Sequence, residues 1–457
     1  MRKPVFIVVI LACLLLTLVT IKVRGQSTTV QNPASAAADD VTAAFKSEAF
    51  NEHRVSHAAQ PSGDFNFGQQ PAHSSHFSFG NNDWHAAPAQ EINGSMVYMV
   101  ANSHIDTQWN WTVQDTIRQW VPRTFFDNFK LFEQFPDYKF NFEGVIHYMF
   151  FKEYHPEAWP KLQAYVAQGR WKLAGSWIDA VDTNIPSPES LMRQALYGKR
   201  FFKHEFGHAS EDIYLPDCFG FGYALPSIAA HSGFRSFSTQ KLTWGGAIPS
   251  PFAVGRWQGV DGSTLIASLR GGNYVAKVRS NPTSNEYWGG ELTNIGDGKR
   301  VGFRYFGVGD QGGAPDETSV AWVEKGLHEP QGTLRIRNTS ADQLAKDLSA
   351  QEIAALPVYN GELVMKTHGV GCYTSQAAMK MWNRRNEQLA DAAERASVAA
   401  EYINGTPYPR ERLRESWTRF LYHQFHDDLT GTAIPQAYVF SWNDELISLN
   451  QFAHVDE

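Results

Sequence analysis

From Ser95 onward, short apolar runs alternate with amphipathic stretches, and this alternation sets the expected fold class. Residues 96–100 read Met-Val-Tyr-Met-Val, uninterrupted by polar side chains and rich in β-branched and aromatic ones, as in a strand buried on both faces. Comparable segments recur at 138–142, 171–177, 212–215, 236–239, 265–269 and 304–308. Helical patterns lie between several of them. Residues 161–168 end at Gly169, a good helix C-terminus, and a second helix runs to about Glu205 behind Ser187 as N-cap and Pro188 at the first helical position. Strand–helix alternation of this kind predicts an α/β fold with a parallel sheet covered by helices, a barrel being the natural closure. Between 375 and 403 the pattern turns strongly helical, and 411–426 reads as a further helix, so a small helical bundle follows. No internal repeat is visible.

Upstream the pattern differs. Arg2 and Lys3 precede an uncharged run over residues 5–21 that ends at Lys22 and Arg24. This is a basic flank followed by an apolar segment near the lower length limit for crossing a bilayer. Residues 1–25 are therefore expected to act as a signal peptide or membrane anchor, with an exported location (secreted, periplasmic or lumenal) and membrane contact only through residues 5–21. Residues 26–92 shift to Ser, Ala, Gln, Asn, Pro and His without sustained periodicity, as expected of a disordered low-complexity linker. Its scattered histidines fit solvated linker positions better than metal ligands.

Composition narrows the function classes. The chain has 457 residues, of which 43% are hydrophobic and 19% charged, with a net charge of −7 and no Lys/Arg cluster, which argues against a nucleic-acid partner. Its three cysteines, Cys13, Cys218 and Cys372, include no Cys-x-x-Cys pair, so any metal site must use His and carboxylates.

Three segments supply such ligands. His104-Ile105-Asp106 follows the first predicted strand, where extended backbone puts i and i+2 on one face and barrels carry their active sites. Asp217, in Pro216-Asp217-Cys218-Phe219-Gly220, sits at another strand end, where a helix-capping role is the simpler alternative. His423 and His426, in His-Gln-Phe-His-Asp-Asp-Leu-Thr-Gly-Thr, lie near a helix end, where a structural histidine is the simpler one. Each is weak alone.

Together, with their flanks, these segments resemble glycoside hydrolase family 38, the α-mannosidases. The likeness extends to Trp109, Gly175-Ser176-Trp177 with Asp182 and Asn184, Thr239-Gln240-Lys241-Leu242-Thr243-Trp244, Gly309-Asp310 and His368-Gly369, so it runs from about Ser95 to Thr432. The resemblance implies a seven-stranded β/α barrel (93–370) and a three-helix bundle (371–457), with β-sandwich domains following in family members. It makes His104, Asp106, Asp217 and His426 ligands of one zinc ion per chain, a donor set that would also take manganese or cobalt. Asp217 is then also the nucleophile of a retaining mechanism, giving a covalent glycosyl-enzyme intermediate. Asp310 is the candidate general acid, with Asp316 a nearby alternative. Trp109, Asp182, His368 and Asp427 are candidate contacts to a mannose-containing glycan. Trp109 reads equally as a wall of the barrel mouth, and Asp182 as a residue fixing its own loop. Two rival readings share the donor set: a metal-dependent polysaccharide deacetylase, and a truncated glycan-binding protein without turnover.

Overall fold

The computed structural model describes residues 91–245, 250–284 and 291–456. The predicted signal or anchor (1–25) and most of the predicted linker (26–92) lie outside the described residues. No helix among the described residues is long and apolar enough to cross a membrane.

In chain order the strands are β1 (Ser95–Ser103), β2 (Phe140–Phe142), β3 (Trp171–Leu173), β4 (Asp212–Tyr214), β5 (Gly220–Phe221), β6 (Ser236–Ser238), β7 (Val254–Gln258), β8 (Thr264–Ser268), β9 (Thr293–Asn294), β10 (Arg300–Val308), β11 (Leu334–Asn338), β12 (Val358–Asn360) and β13 (Leu363–Val364). The first sheet has the order β3-β2-β1-β10-β9, with β11 also pairing with β1. Here β1 is central: β10 runs parallel along one side, while β11 and β2 share the other. Its burial matches its composition, since Val97, Met99, Val100 and Ala101 are all essentially inaccessible. The second sheet has the order β12-β7-β8-β6-β4, in which β4, β6 and β8 run parallel. All seven predicted strand segments are strands, some of them shorter than expected.

A single closed barrel is not what the pairing shows. Among the described residues no ladder joins β3 to β4 or β8 to β10. At the first gap β3 is only three residues long and turns at Gly175, whose N–H bonds the Asp212 side chain at 3.2 Å rather than a β4 carbonyl. Gly175 has φ +47°, and a Cβ there would lie 3.3 Å from the Tyr214 backbone, so glycine allows the close approach. At the second gap, isolated bonds tie Tyr305 N to Gly271 O (2.8 Å) and Gly307 N to Ala276 O (3.0 Å). The sheets nonetheless share a core: Tyr98, Val100, Tyr214, Ile266, Phe303 and Tyr305 form one buried cluster, and Tyr214 donates to Asn102 Oδ1 at 2.7 Å.

Helices cover the sheets. They include α1 (Val121–Gln134), α2 (Val145–Tyr154), α3 (Trp159–Ala167) and α4 (Pro188–Phe206). The ends of α4 follow from its sequence. The Ser187 side chain accepts from Ser190 N, Pro188 and Glu189 start the first turn, and Gly207 closes the helix at φ +78°. Near the C-terminal end of the chain, α5 (Ala377–Asn404), α6 (Arg410–Tyr422) and α7 (Pro435–Asp456) are the three long helices of the expected bundle. The predicted helix over 411–426 stops at Tyr422, four residues early. The reason is tertiary: His426 N bonds Ala180 O at 3.1 Å, and Phe425 forms an antiparallel bridge with Val181.

Candidate metal centre and active site

Every candidate donor emerges at the C-terminal end of a parallel strand or is brought there by tertiary pairing. His104 and Asp106 follow β1, Asp217 follows β4, and the 425–426 turn is docked on residues 180–181 beyond β3. One donor atom from each of His104, Asp106, Asp217 and His426 lies within 4.8 Å of the others. His104 Nε2 is 3.0 Å from Asp106 Oδ1. His426 Nε2 is 3.4 Å from Asp106 Oδ1, 3.5 Å from Asp427 Oδ2 and 3.6 Å from Asp217 Oδ2.

The fit to a cation rests on His426. Its ring is fully buried and its Nδ1 lies 3.0 Å from Ala180 O, while Nε2 has no hydrogen-bond partner. A buried nitrogen facing three carboxylate oxygens beyond good hydrogen-bond distance marks a place where a cation is the natural partner. Two imidazoles and two carboxylates form a set suited to a divalent ion.

Electrostatics point the same way. Burial opposes a charge on His104, yet its bonds to Asp106 and Glu143 push it up to about 10. Burial likewise opposes ionisation of Asp217, but His426 and Lys241 hold its carboxyl well below the ordinary range. The Lys241 ammonium, 2% exposed, sits 2.5 Å from Asp217 Oδ1 and over the rings of Phe219 and Trp244. Each Asp217 oxygen thus faces a different neighbour, Oδ1 the lysine and Oδ2 the cation position.

Asp310 stands beside this cluster. It has φ +60°, a left-handed conformation that aspartate tolerates, and Asp106 N bonds its carbonyl at 2.8 Å. Burial, then the Asp106 charge, raises its carboxyl above the usual range, and Tyr274 donates to Oδ1 at 2.7 Å. Gly309 makes this contact possible, because a Cβ there would fall 1.8 Å from the Tyr274 ring. Asp316 is placed elsewhere, capping the helix at Ser319 and pairing with Arg279.

The other candidates divide. Trp109 is partly exposed, edge-on to Trp111 at 5.9 Å, and its carbonyl receives Ile434 N at 2.8 Å. His368 is partly exposed beside Trp244 and Phe219. Asp427 is pushed up to about 7 by burial, and its Oδ1 accepts from Thr432. Asp182 is fully buried. Its Oδ1 accepts from Asn184 N and Ile185 N, and its Oδ2 from Tyr373 at 2.7 Å, so its geometry is that of a residue fixing its own loop.

Three further residues belong to the site. Lys241 lies within the 239–244 segment of the family likeness, and Glu143 follows β2 at a strand end, a position that is itself a signal. Tyr274 carried no local signal.

Residues 95–407 match the glycosyl hydrolases family 38 N-terminal domain, and the chain belongs to that family. It is 32% identical over 360 residues to the "Alpha-mannosidase" of Saccharomyces cerevisiae, covering 75% of this chain and 32% of that protein. To "Alpha-mannosidase 2C1" of Mus musculus it is 32% identical over 346 residues, covering 74% of this chain and 32% of that one. The chain therefore spans about a third of the length of these curated relatives. Among solved structures, an alpha-mannosidase from Enterococcus faecalis shares the fold, with a TM-score of 0.64 at 17% identity over 79% of this chain and 42% of that one.

Proposed function

We propose that this chain carries the catalytic part of a zinc-dependent retaining α-mannosidase that hydrolyses terminal α-mannosides of glycans. The observation that carries the reading is the convergence of His104, Asp106, Asp217 and His426 around an unpartnered buried imidazole nitrogen. Family membership and relatives named as α-mannosidases supply the substrate class. A bound zinc ion would hold vicinal hydroxyls of the terminal sugar and template its ring.

The protein's own groups do the rest. Lys241 and the surrounding charges keep Asp217 ionised, as a nucleophile requires, and fix the orientation of its carboxylate. Asp217 attacks the anomeric carbon to form an ester while Asp310 gives its proton to the departing glycosidic oxygen. Asp310, now a carboxylate, takes a proton from the water that opens the ester, restoring both groups with net retention. The raised carboxyl of Asp310 suits the acid role, and the Tyr274 hydrogen bond, which works against that rise, fixes the orientation of the carboxyl. Trp109 and His368 line the substrate side of this reading. Export through residues 5–21 belongs to the same proposal and rests on the basic flank and the apolar run that follows it.

The test is hydrolysis of an aryl α-mannoside by the purified 457-residue chain, loaded with zinc, beside Asp217→Asn. Activity abolished in the variant supports the assignment, and undiminished activity overturns the nucleophile. Zinc and mannose binding without turnover in the unsubstituted chain would favour the glycan-binding alternative, and acetate release from an N-acetylated glycan the deacetylase.

A further inference from the structure

Glu143 follows β2 at the same end of the sheet as His104 after β1, and Asn102 and Ser103 pair with Asn141 and Phe142, so the two loops leave the sheet side by side. Its Oε1 lies 2.6 Å from His104 Nδ1, with both side chains buried. At this distance Glu143 accepts the Nδ1 proton, which leaves Nε2, on the side of Asp106, Asp217 and His426, as the nitrogen that would face a bound cation. The other histidine is held differently: the acceptor facing His426 Nδ1 is the neutral carbonyl of Ala180, at 3.0 Å.

We propose that Glu143 is a positioning residue for the metal. It locks the tautomer and ring orientation of His104, and its negative charge makes His104 the stronger donor of the two histidines. This inference rests on reading the four-residue cluster as a metal centre. A purely structural Glu143, one that only satisfies a buried imidazole, would alter stability without altering affinity for the ion.

The experiment measures the zinc dissociation constant of the full chain, stripped of metal, by competition with a chromophoric chelator. Wild type, Glu143→Gln and Glu143→Ala are compared. The glutamine variant is nearly isosteric and keeps a neutral oxygen acceptor like that facing His426, so it remains informative if the alanine variant fails to fold. Expected is a loss of affinity on the order of 10- to 100-fold for Glu143→Ala and a smaller loss for Glu143→Gln. Zinc uptake by wild type with constants within twofold in the variants that fold overturns the positioning role alone. No zinc uptake by wild type overturns the metal reading, and the role of Glu143 with it.

Discussion

Replacing Lys241 by methionine isolates the charge that holds Asp217. Methionine keeps most of the buried stem, so the change removes an ammonium rather than opening a cavity. Lys241 is 2% exposed and Asp217 14%, and their contact is 2.5 Å. Truncating one partner of a buried ion pair leaves the other uncompensated and costs about 3–5 kcal/mol, while the partial exposure of Asp217 lowers this to about 2–4 kcal/mol. With an unfolding entropy of about 2 cal/mol/K per residue over a chain of this size, that becomes a fall in Tm of about 2–4 °C for the metal-free protein. Zinc should narrow the gap, because the cation takes over part of the neutralisation. Calorimetry of metal-free and zinc-loaded Lys241→Met against wild type reads both effects, with Lys241→Arg as the charge-preserving control. The same variant should lower kcat on an aryl α-mannoside, since Asp217 loses the contact that orients it. A metal-free Lys241→Met that melts within about 1 °C of wild type, or a gap that zinc leaves unchanged, would refute the reasoning.

Two further outcomes follow from single contacts. Gly309→Ala puts a methyl group where the Tyr274 ring now lies, 1.8 Å away, and must displace the hydroxyl from Asp310. It should destabilise the fold by about 1–3 kcal/mol and lower kcat/KM at least ~10-fold; unchanged kinetics would show that Tyr274 does not serve the acid. Glu445 is buried with one oxygen unpartnered and is pushed up by burial to about 8. Since the folded state keeps its proton after the unfolded chain has lost it, Glu445 makes stability fall as pH rises from about 4.5 to about 8. Glu445→Gln should flatten that part of the Tm profile relative to wild type, and superimposable profiles from pH 4 to 9 would disprove the assignment.

What could be read from the sequence follows a physical line. The central parallel strands are buried on both faces, so segments such as Met96 to Val100 are uninterrupted apolar runs that need no partner to be recognised. Strand β11 is harder to read although Leu-Arg-Ile-Arg-Asn alternates apolar and cationic residues with a strand's period of two: the run is only five residues long, and its Arg337 is accommodated in a half-buried position by pairing with Asp347. That partner is contributed by tertiary structure. The same reasoning explains the early end of α6: the helical pattern persists past Tyr422, but His423 is taken up between Asp428 and Asp444, and Gln424 reaches Asn383. The backbone then pairs with residues 180–181 instead of continuing its own turn.

That diversion matters for chemistry. His426 lies beyond the segment matched to the family's N-terminal domain, and it faces Asp106 and Asp217 because the turn is docked there, by the 180–181 backbone on one side and by Asp428 on the other. Gln108, two residues after Asp106, donates to both Asp428 oxygens at 2.9 Å and to Ser441 of α7 at 2.8 Å. The loop carrying His104 and Asp106 and the turn carrying His426 are therefore held by one buried polar network anchored in the bundle. Spacing along the chain can nominate each donor, but their convergence depends on Gln108, His423, Asp428 and Asp444. None of these has a chemical role of its own in the proposed reaction; His423 and Asp428 lie in the motif that carries His426, whereas Gln108 and Asp444 belong to no such motif.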